Sequence, residues 1–448
     1  MEFKNRVKEI EHLEKFLKSN KFEFLILYGR RRVGKTELIL NATKNKKRIY
    51  YLATSEKNLE RFYEVLLKYD PFVSNLKMDF EVLIDYLKDK IEIIVIDEFQ
   101  NLIKEDKNIL NIFQSLIDTK LKDSNLKLVI LGSSVSIISS KVLSYQSPLY
   151  GRRTESIKLK PVSFIDLKKF FPKSDFKELL EIYGFADGIP YYLIRREGNF
   201  WDWISKELIG GKSFLRDEID FLMRYEFDDP STYKLILEAI ANGKNKMNEI
   251  KDFIKLQRTD LSPYLKNLIE VDLIKREVSI TENLKSRKGR YYLKDNFIKF
   301  WFKFVYPNLS SIESEIFKIS IIKNNYSEYL GPIFEDVCKE FLVKSKLFNF
   351  TKIGRWWYKD IEIDIVAINK ENKNNPEIIF SECKWEENIN AEKIIFKLIE
   401  KAEKVDFKRK KETYVIFAKS FKKKIKEFEG KKVYCFDLND LEGMMGKI

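Results

Sequence analysis

Histidine is almost absent from this chain. Of 448 residues one is a histidine, His12, and three are cysteines, Cys338, Cys383 and Cys435. A Ser-His-Asp triad has only His12 to draw on, and a zinc site of finger or ribbon type lacks ligands. Chemistry must therefore rest on carboxylates, lysines, arginines, hydroxyls and backbone. The cysteines lie far apart in sequence and read as core or strand filler, and His12 sits on an amphipathic helix where no function is required of it. Long apolar runs are missing too. Stretches such as residues 93–96 fall far short of the roughly 20 apolar residues of a membrane span. No apolar stretch of about 7–15 residues follows the charged start, so no signal peptide is expected. These absences predict a cytoplasmic protein with reduced thiols and no membrane partner.

What is present is ample core material. Hydrophobic residues make up 44% of the chain, aromatic residues 14% and charged residues 34%, a soluble globular composition. At roughly 150 residues per domain, about three domains are expected. Lys and Arg number 83 against 69 Asp and Glu, a net charge of +14. Spread evenly, that excess says little. It is clustered, however, in Lys408-Arg409-Lys410-Lys411, in Lys422-Lys423-Lys424 and in the segment Lys285-Ser286-Arg287-Lys288. DNA, through its phosphate backbone, is the expected partner.

Apolar runs at residues 24–28, 48–53, 91–96 and 126–131 alternate with helical patterns, which predicts a wound α/β domain over residues 1–160. Residues 161–227 read as a helical subdomain, broken by the turn signal Asp187-Gly188-Ile189-Pro190. Three short helices follow at 233–241, 247–253 and 259–271, and then two β-prone pieces at 273–280 and 290–293. This order describes a winged helix-turn-helix over residues 228–306. Pro307-Asn308 marks a linker to a last α/β unit, residues 307–448.

Gly29-Arg30-Arg31-Arg32-Val33-Gly34-Lys35-Thr36 fits the P-loop pattern, after a predicted strand and before a predicted helix. Backbone N–H groups would close around the phosphates of ATP, Lys35 would reach the β- and γ-phosphates, and Thr36 would join the Mg²⁺ shell. The run at 91–96 delivers Asp97 and Glu98 to its C-terminal edge. Asp97 would hold Mg²⁺, and Glu98 would orient and deprotonate the attacking water. The run at 126–131 ends in Gly132-Ser133-Ser134, which puts the Ser133 hydroxyl beside the γ-phosphate if that strand neighbours the P-loop strand. Arg152 and Arg153 are candidates to stabilise developing charge, in cis or from a neighbouring subunit of a homo-oligomer.

Phe3-Lys4-Asn5-Arg6 with Glu9, the P-loop, Ile96-Asp97-Glu98, Leu131-Gly132-Ser133-Ser134 and Gly188-Ile189-Pro190 together resemble the archaeal ATPase family, related to the AAA+ signal-transduction ATPases with numerous domains. The resemblance covers nearly the whole chain, since members carry a winged helix and a further C-terminal domain. It implies that the helical subdomain is a nucleotide lid. It further implies that Arg6 lies near the adenine and that Gly188 and Pro190 contact the nucleotide.

In the last unit, Ile361-Glu362-Ile363-Asp364-Ile365 and Phe380-Ser381-Glu382-Cys383-Lys384 read as strands. Side chains alternate faces along a strand, so Glu382 and Lys384 project together. Asp364 joins them if it faces the same way, and two carboxylates would then bind Mg²⁺ or Mn²⁺ beside a lysine. This arrangement resembles the PD-(D/E)xK nuclease superfamily, with its restriction-endonuclease-like fold. That resemblance implies Asp364 and Glu382 as metal ligands, Lys384 as the catalytic lysine and Glu335 as an auxiliary acid on a preceding helix; Ile363 stands where the motif has proline. Two readings follow: an ATPase coupled to DNA binding and metal-dependent cleavage, or an ATP-dependent DNA-binding switch with a non-catalytic C-terminal domain.

Overall fold

Strands buried on both faces need apolar side chains at every position, and the runs at 24–28, 93–96 and 127–131 satisfy that need. In the computed structural model, which describes residues 5–209, 214–256, 260–371 and 376–448, they are the strands β1 (Glu23–Tyr28), β3 (Ile93–Asp97) and β4 (Lys127–Gly132). β2 (Arg48–Leu52) and β5 (Glu155–Lys158) complete a five-stranded sheet in the order β2-β3-β4-β1-β5, every pair parallel. Alternate residues feed two cores. Phe24, Ile26, Ile94, Ile96, Leu128 and Ile130 enter one. Leu25, Leu27, Ile93, Val95, Val129 and Leu131 enter the other, with Leu13 and Phe16 of helix Val7–Leu17. β4 is hydrogen-bonded beside β1, the neighbour that the Ser133 argument required. The parallel arrangement brings the C-terminal ends of β1, β3 and β4 side by side, the usual place for a ligand site in a doubly wound sheet.

Two compact units divide the chain. The first holds residues 1–161 and 189–192, and the second holds 162–188 and 193–448. Most of the segment expected as a lid therefore packs within the second unit. There, Phe185 of helix Phe176–Ala186 meets Trp203, Phe297 and Phe300 edge to face at 4.8–5.8 Å. The Tyr329 hydroxyl donates to the Gly184 and Asn296 carbonyls at 2.7 and 2.8 Å.

Helices Ser231–Ala241, Met247–Ile254 and Ser262–Glu270 come next; residue 259, the expected start of the third, lies outside the described residues. They lead into an antiparallel hairpin of β6 (Ile274–Glu277) and β7 (Arg290–Leu293). After the 26-residue helix Ser320–Ser345 come β8 (Lys352–Tyr358), β9 (Ile361–Asn369), β10 (Glu377–Lys384), β11 (Ile389–Asn390), β12 (Lys411–Ala418), β13 (Phe421–Lys423), β14 (Glu427–Phe428) and β15 (Lys431–Phe436). Six of them form a mixed sheet, β14-β15-β12-β10-β9-β8, while β11 and β13 pair separately. Helix Ala391–Ala402 covers the six-stranded sheet with Ile395, Leu398 and Ala402. Trp356 and Trp357 are buried here, so both serve packing. Among the described residues no helix is long and apolar enough to cross a membrane.

Candidate functional site

The P-loop is shaped by its glycines. Gly29 lies so close to Leu159 that a Cβ would come 2.4 Å from the Leu159 carbonyl oxygen. Gly34, at φ 92°, takes the left-handed conformation that lets helix Lys35–Ala42 start. Lys35 Nζ donates to the Gly29 and Arg30 carbonyls, each at 2.9 Å, and so curls into the loop. Val33 is buried in the core, whereas Arg31 is exposed. Arg32, itself at φ 67°, carries its guanidinium 4.7 Å from the Tyr191 ring centre, next to Pro190. The Arg6 guanidinium is buried, donates to the Val33 carbonyl at 3.1 Å and to the Lys160 carbonyl at 2.7 Å, and pairs with Glu9. It thus braces the P-loop backbone directly. Phe3 and Lys4, beside it in sequence, lie outside the described residues.

At the end of β3 the two carboxylates are held by different donors. Asp97 Oδ2 accepts from the Thr36 hydroxyl at 2.6 Å and from the Tyr50 hydroxyl at 2.9 Å, and its Oδ1 takes the Glu98 backbone N–H at 2.8 Å. Burial, and then the Asp97 charge, push the Tyr50 phenol well above its usual range, so it stays a donor. Glu98 turns out of the strand at φ 55°. Its Oε2 accepts from the Ser133 hydroxyl at 2.5 Å and from the Gln100 amide. Hard oxygens from Thr36 and Asp97 in direct contact suit Mg²⁺. Sequence reading passed over Tyr50 and Gln100; only the polar residue two positions after Glu98 hinted at the second.

Other expected residues have different partners. Arg152 forms a bidentate pair with Asp118, at 2.8 and 2.7 Å, and Arg153 lies 5.3 Å from the Tyr150 ring centre. Gly188 is required by packing within the second unit, where its Cβ would fall 1.7 Å from the Val162 carbonyl oxygen. His12 hydrogen-bonds Glu155 at 2.5 Å.

In the second unit, antiparallel pairing sets Ser381 opposite Ile365, which makes Glu382 and Asp364 neighbours. Asp364 Oδ2 accepts the Cys383 N–H at 2.8 Å. Burial, followed by the nearby Glu335 and Glu382 charges, pushes the Asp364 carboxyl up to about 8. Burial raises Glu335 as well, against the opposing pull of Arg355, whose Nη2 donates to it at 2.7 Å. Lys384 Nζ reaches Glu382 Oε1 at 2.9 Å, and Lys401 Nζ reaches both carboxylate oxygens at 2.9 and 3.1 Å. Burial works against the Lys384 charge, but Glu382 outweighs it and the amine is raised. Lys401 and Arg355, which sequence reading missed, thus neutralise the acids. Among the described residues no group of three acidic, histidine or cysteine side chains is arranged to hold a metal ion. Asp364, Glu335, Arg355 and Lys401 line one cavity of about 1030 Å³.

A family described as an ATPase domain predominantly from Archaea matches residues 3–195. A second, described as archaeal and bacterial proteins of unknown function, matches residues 301–395. Uncharacterized protein MJECL04 of Methanocaldococcus jannaschii is 49% identical over 445 residues, 98% of this chain and 99% of that protein. Uncharacterized ATP-binding protein MJ0423 of the same organism is 56% identical over 45 residues, 10% of this chain and 76% of that protein. The structure of the Walker-type ATPase PABY2304 of Pyrococcus abyssi superposes with a TM-score of 0.51 at 24% identity, covering 67% of this chain and 96% of that one; the likeness is one of fold. A relative 49% identical over nearly the full length of both chains, joined to an ATPase-domain match over residues 3–195, which contain the P-loop, makes this chain a member of the archaeal P-loop ATPase family.

Proposed function

We propose that ATP turnover in the N-terminal domain governs DNA binding by the second unit and metal-dependent DNA cleavage at Asp364, Glu382 and Lys384. In the ATPase, Lys35 and the P-loop N–H groups bind the phosphates, and Thr36 and Asp97 hold Mg²⁺. When bound there, Mg²⁺ would supply positive charge that offsets the charge of the phosphates. Glu98 orients the attacking water and takes its proton while Ser133 fixes the carboxylate. In the second unit, the three helices and the β6–β7 hairpin are read as a winged helix. The exposed Lys285, Arg287 and Lys288 between its strands suit a phosphate backbone.

The observation that carries the cleavage reading is the pairing of Asp364 and Glu382 on adjacent strands with Lys384 bonded to Glu382. A second reading, a DNA-binding switch with a non-catalytic C-terminal domain, is favoured by the cations already on these acids: Lys401 on Glu382 and Arg355 on Glu335. One experiment separates them. Wild type and Lys384→Ala are incubated with Mg²⁺ or Mn²⁺ and with plasmid or single-stranded DNA, and DNA binding is measured with ATP and with ADP. Cleavage lost in the variant supports the first reading. Nucleotide-dependent binding with no cleavage, or with equal cleavage by both proteins, supports the second, and absence of salt-dependent DNA binding overturns DNA as partner.

A further inference from the structure

Asp97 and Glu98 are adjacent in sequence, yet their side chains are held by separate sets of partners. Asp97 Oδ2 contacts two hydroxyls: Thr36, which the P-loop pattern includes, and Tyr50, which it does not. Tyr50 comes from β2, the strand hydrogen-bonded alongside β3, and its ring is half-buried against the core built on Leu25 and Val129. Its hydroxyl therefore has little freedom to leave the carboxylate. Glu98 Oε2 likewise takes two donors. One is Ser133; the other is Gln100, the fully buried first residue of helix Gln100–Glu105. The Gln100 amide also approaches the Ser133 hydroxyl at 3.3 Å, so Glu98, Gln100 and Ser133 close a ring. With Oε2 held by two donors, the orientation of the whole carboxylate is set.

We propose that Tyr50 and Gln100 are positioning residues for ATP hydrolysis, Tyr50 aligning Asp97 toward Mg²⁺ and Gln100 aligning Glu98 toward the attacking water. Neither touches the reacting atoms. Groups that orient a metal ligand from behind typically control metal affinity by 10- to 100-fold. Groups that orient a base act on the chemical step, where a misplacement of about 1 Å costs on the order of 100-fold. The two variants are therefore expected to fail in different ways.

The test uses the full chain with a fluorescent ATP analogue and a phosphate-release assay. Tyr50→Phe keeps the ring. It is expected to raise the Mg²⁺ concentration that half-saturates nucleotide binding about tenfold, while binding of the analogue in EDTA stays unchanged. Gln100→Met keeps length and burial. It is expected to lower kcat at least tenfold with the KM for ATP and the Mg²⁺ dependence unchanged. Ser133→Ala combined with Gln100→Met is expected to cost less than the product of the single effects, because both hold one oxygen. A purely structural role would instead lower the melting temperature and weaken binding with and without Mg²⁺ alike. Equal Mg²⁺ dependence in wild type and Tyr50→Phe overturns the Tyr50 assignment. Equal turnover in wild type and Gln100→Met, including no turnover in either, overturns the Gln100 assignment. The ATPase reading itself has its own control, since nucleotide binding that survives Lys35→Ala would overturn that reading independently.

Discussion

Replacing Arg355 by methionine tests the charge network that surrounds the acids of the second unit. The Arg355 side chain is 9% exposed, and its guanidinium lies 2.7 Å from Glu335, 3.6 Å from Asp336 and 3.7 Å from Glu277. At an effective dielectric of about 20, unit charges 4 Å apart attract by about 4 kcal/mol. Removing one partner of a buried ion pair typically costs about 3–5 kcal/mol, because the other charge is left uncompensated. Arg355→Met, which keeps much of the volume, is therefore expected to lose about 3–5 kcal/mol.

The loss should depend on pH. Glu335 is raised by burial, so its contribution is present below its unfolded value and is lost as pH rises through the folded one. Without Arg355 that folded value climbs further. Asp336 is also buried, but Lys275, Arg355 and Lys299 outweigh burial and hold its carboxyl low. Its contribution is present above its unfolded value and is lost as pH falls through the folded one; removing Arg355 shrinks it. The Asp336 loss is already complete at pH 5, so the Glu335 effect is what makes the variant's deficit larger at pH 8 than at pH 5. The assay is built into the chain, because all six tryptophans, Trp201, Trp203, Trp301, Trp356, Trp357 and Trp385, lie in the second unit. Urea unfolding followed by tryptophan fluorescence thus reads that unit alone. Adding Glu335→Gln to Arg355→Met should return about 1–2 kcal/mol, by removing one stranded charge. A deficit below about 1 kcal/mol at pH 8, or an equal deficit at both pH values, would refute the reasoning.

Lys35→Ala should abolish ATP binding and Glu98→Gln should bind ATP but stall turnover, both measured by equilibrium binding and phosphate release; normal binding by Lys35→Ala would remove the P-loop from the mechanism. Glu412 is opposed by burial but held down to about 2 by Lys431, Arg409 and Tyr414. Its contribution is present above its unfolded value and lost as pH falls toward 2. Discounted for its partial exposure, Glu412→Gln should cost about 1–2 kcal/mol at pH 7, with the gap to wild type closing near pH 2–3 in the tryptophan assay. Gly188→Ala would drive a Cβ to within 1.7 Å of the Val162 carbonyl oxygen, and the backbone shift should cost at least about 2 kcal/mol of urea stability; a loss within about 0.5 kcal/mol would show that the turn yields freely.

Some elements were legible because their physics is local. A strand buried on both faces must be apolar throughout, so β1, β3 and β4 could be read from composition alone, and the glycine-rich turn after β1 carries its phosphate chemistry in its own eight residues. Glu-x-Lys on β10 needed only the two-residue period of a strand to put Glu382 and Lys384 on one side. Other residues carried no signal. Nothing around Tyr50 distinguishes it from a core tyrosine until β2 pairs with β3. Lys401 is one lysine among many on its helix until that helix packs over β10 and brings its amine to Glu382.

Sequence alone thus determined where the candidate nucleotide site lies, because a phosphate cradle is built from contiguous backbone and a few side chains at set spacing. Tertiary structure decided which groups hold those side chains and how the acids are balanced. Asp97 depends on a tyrosine from a neighbouring strand, Glu98 on a buried amide, and Glu335 and Glu382 on cations 20 and 19 residues away in sequence. Electrostatic balance is set by distances in space, and those distances exist only once the sheets have formed.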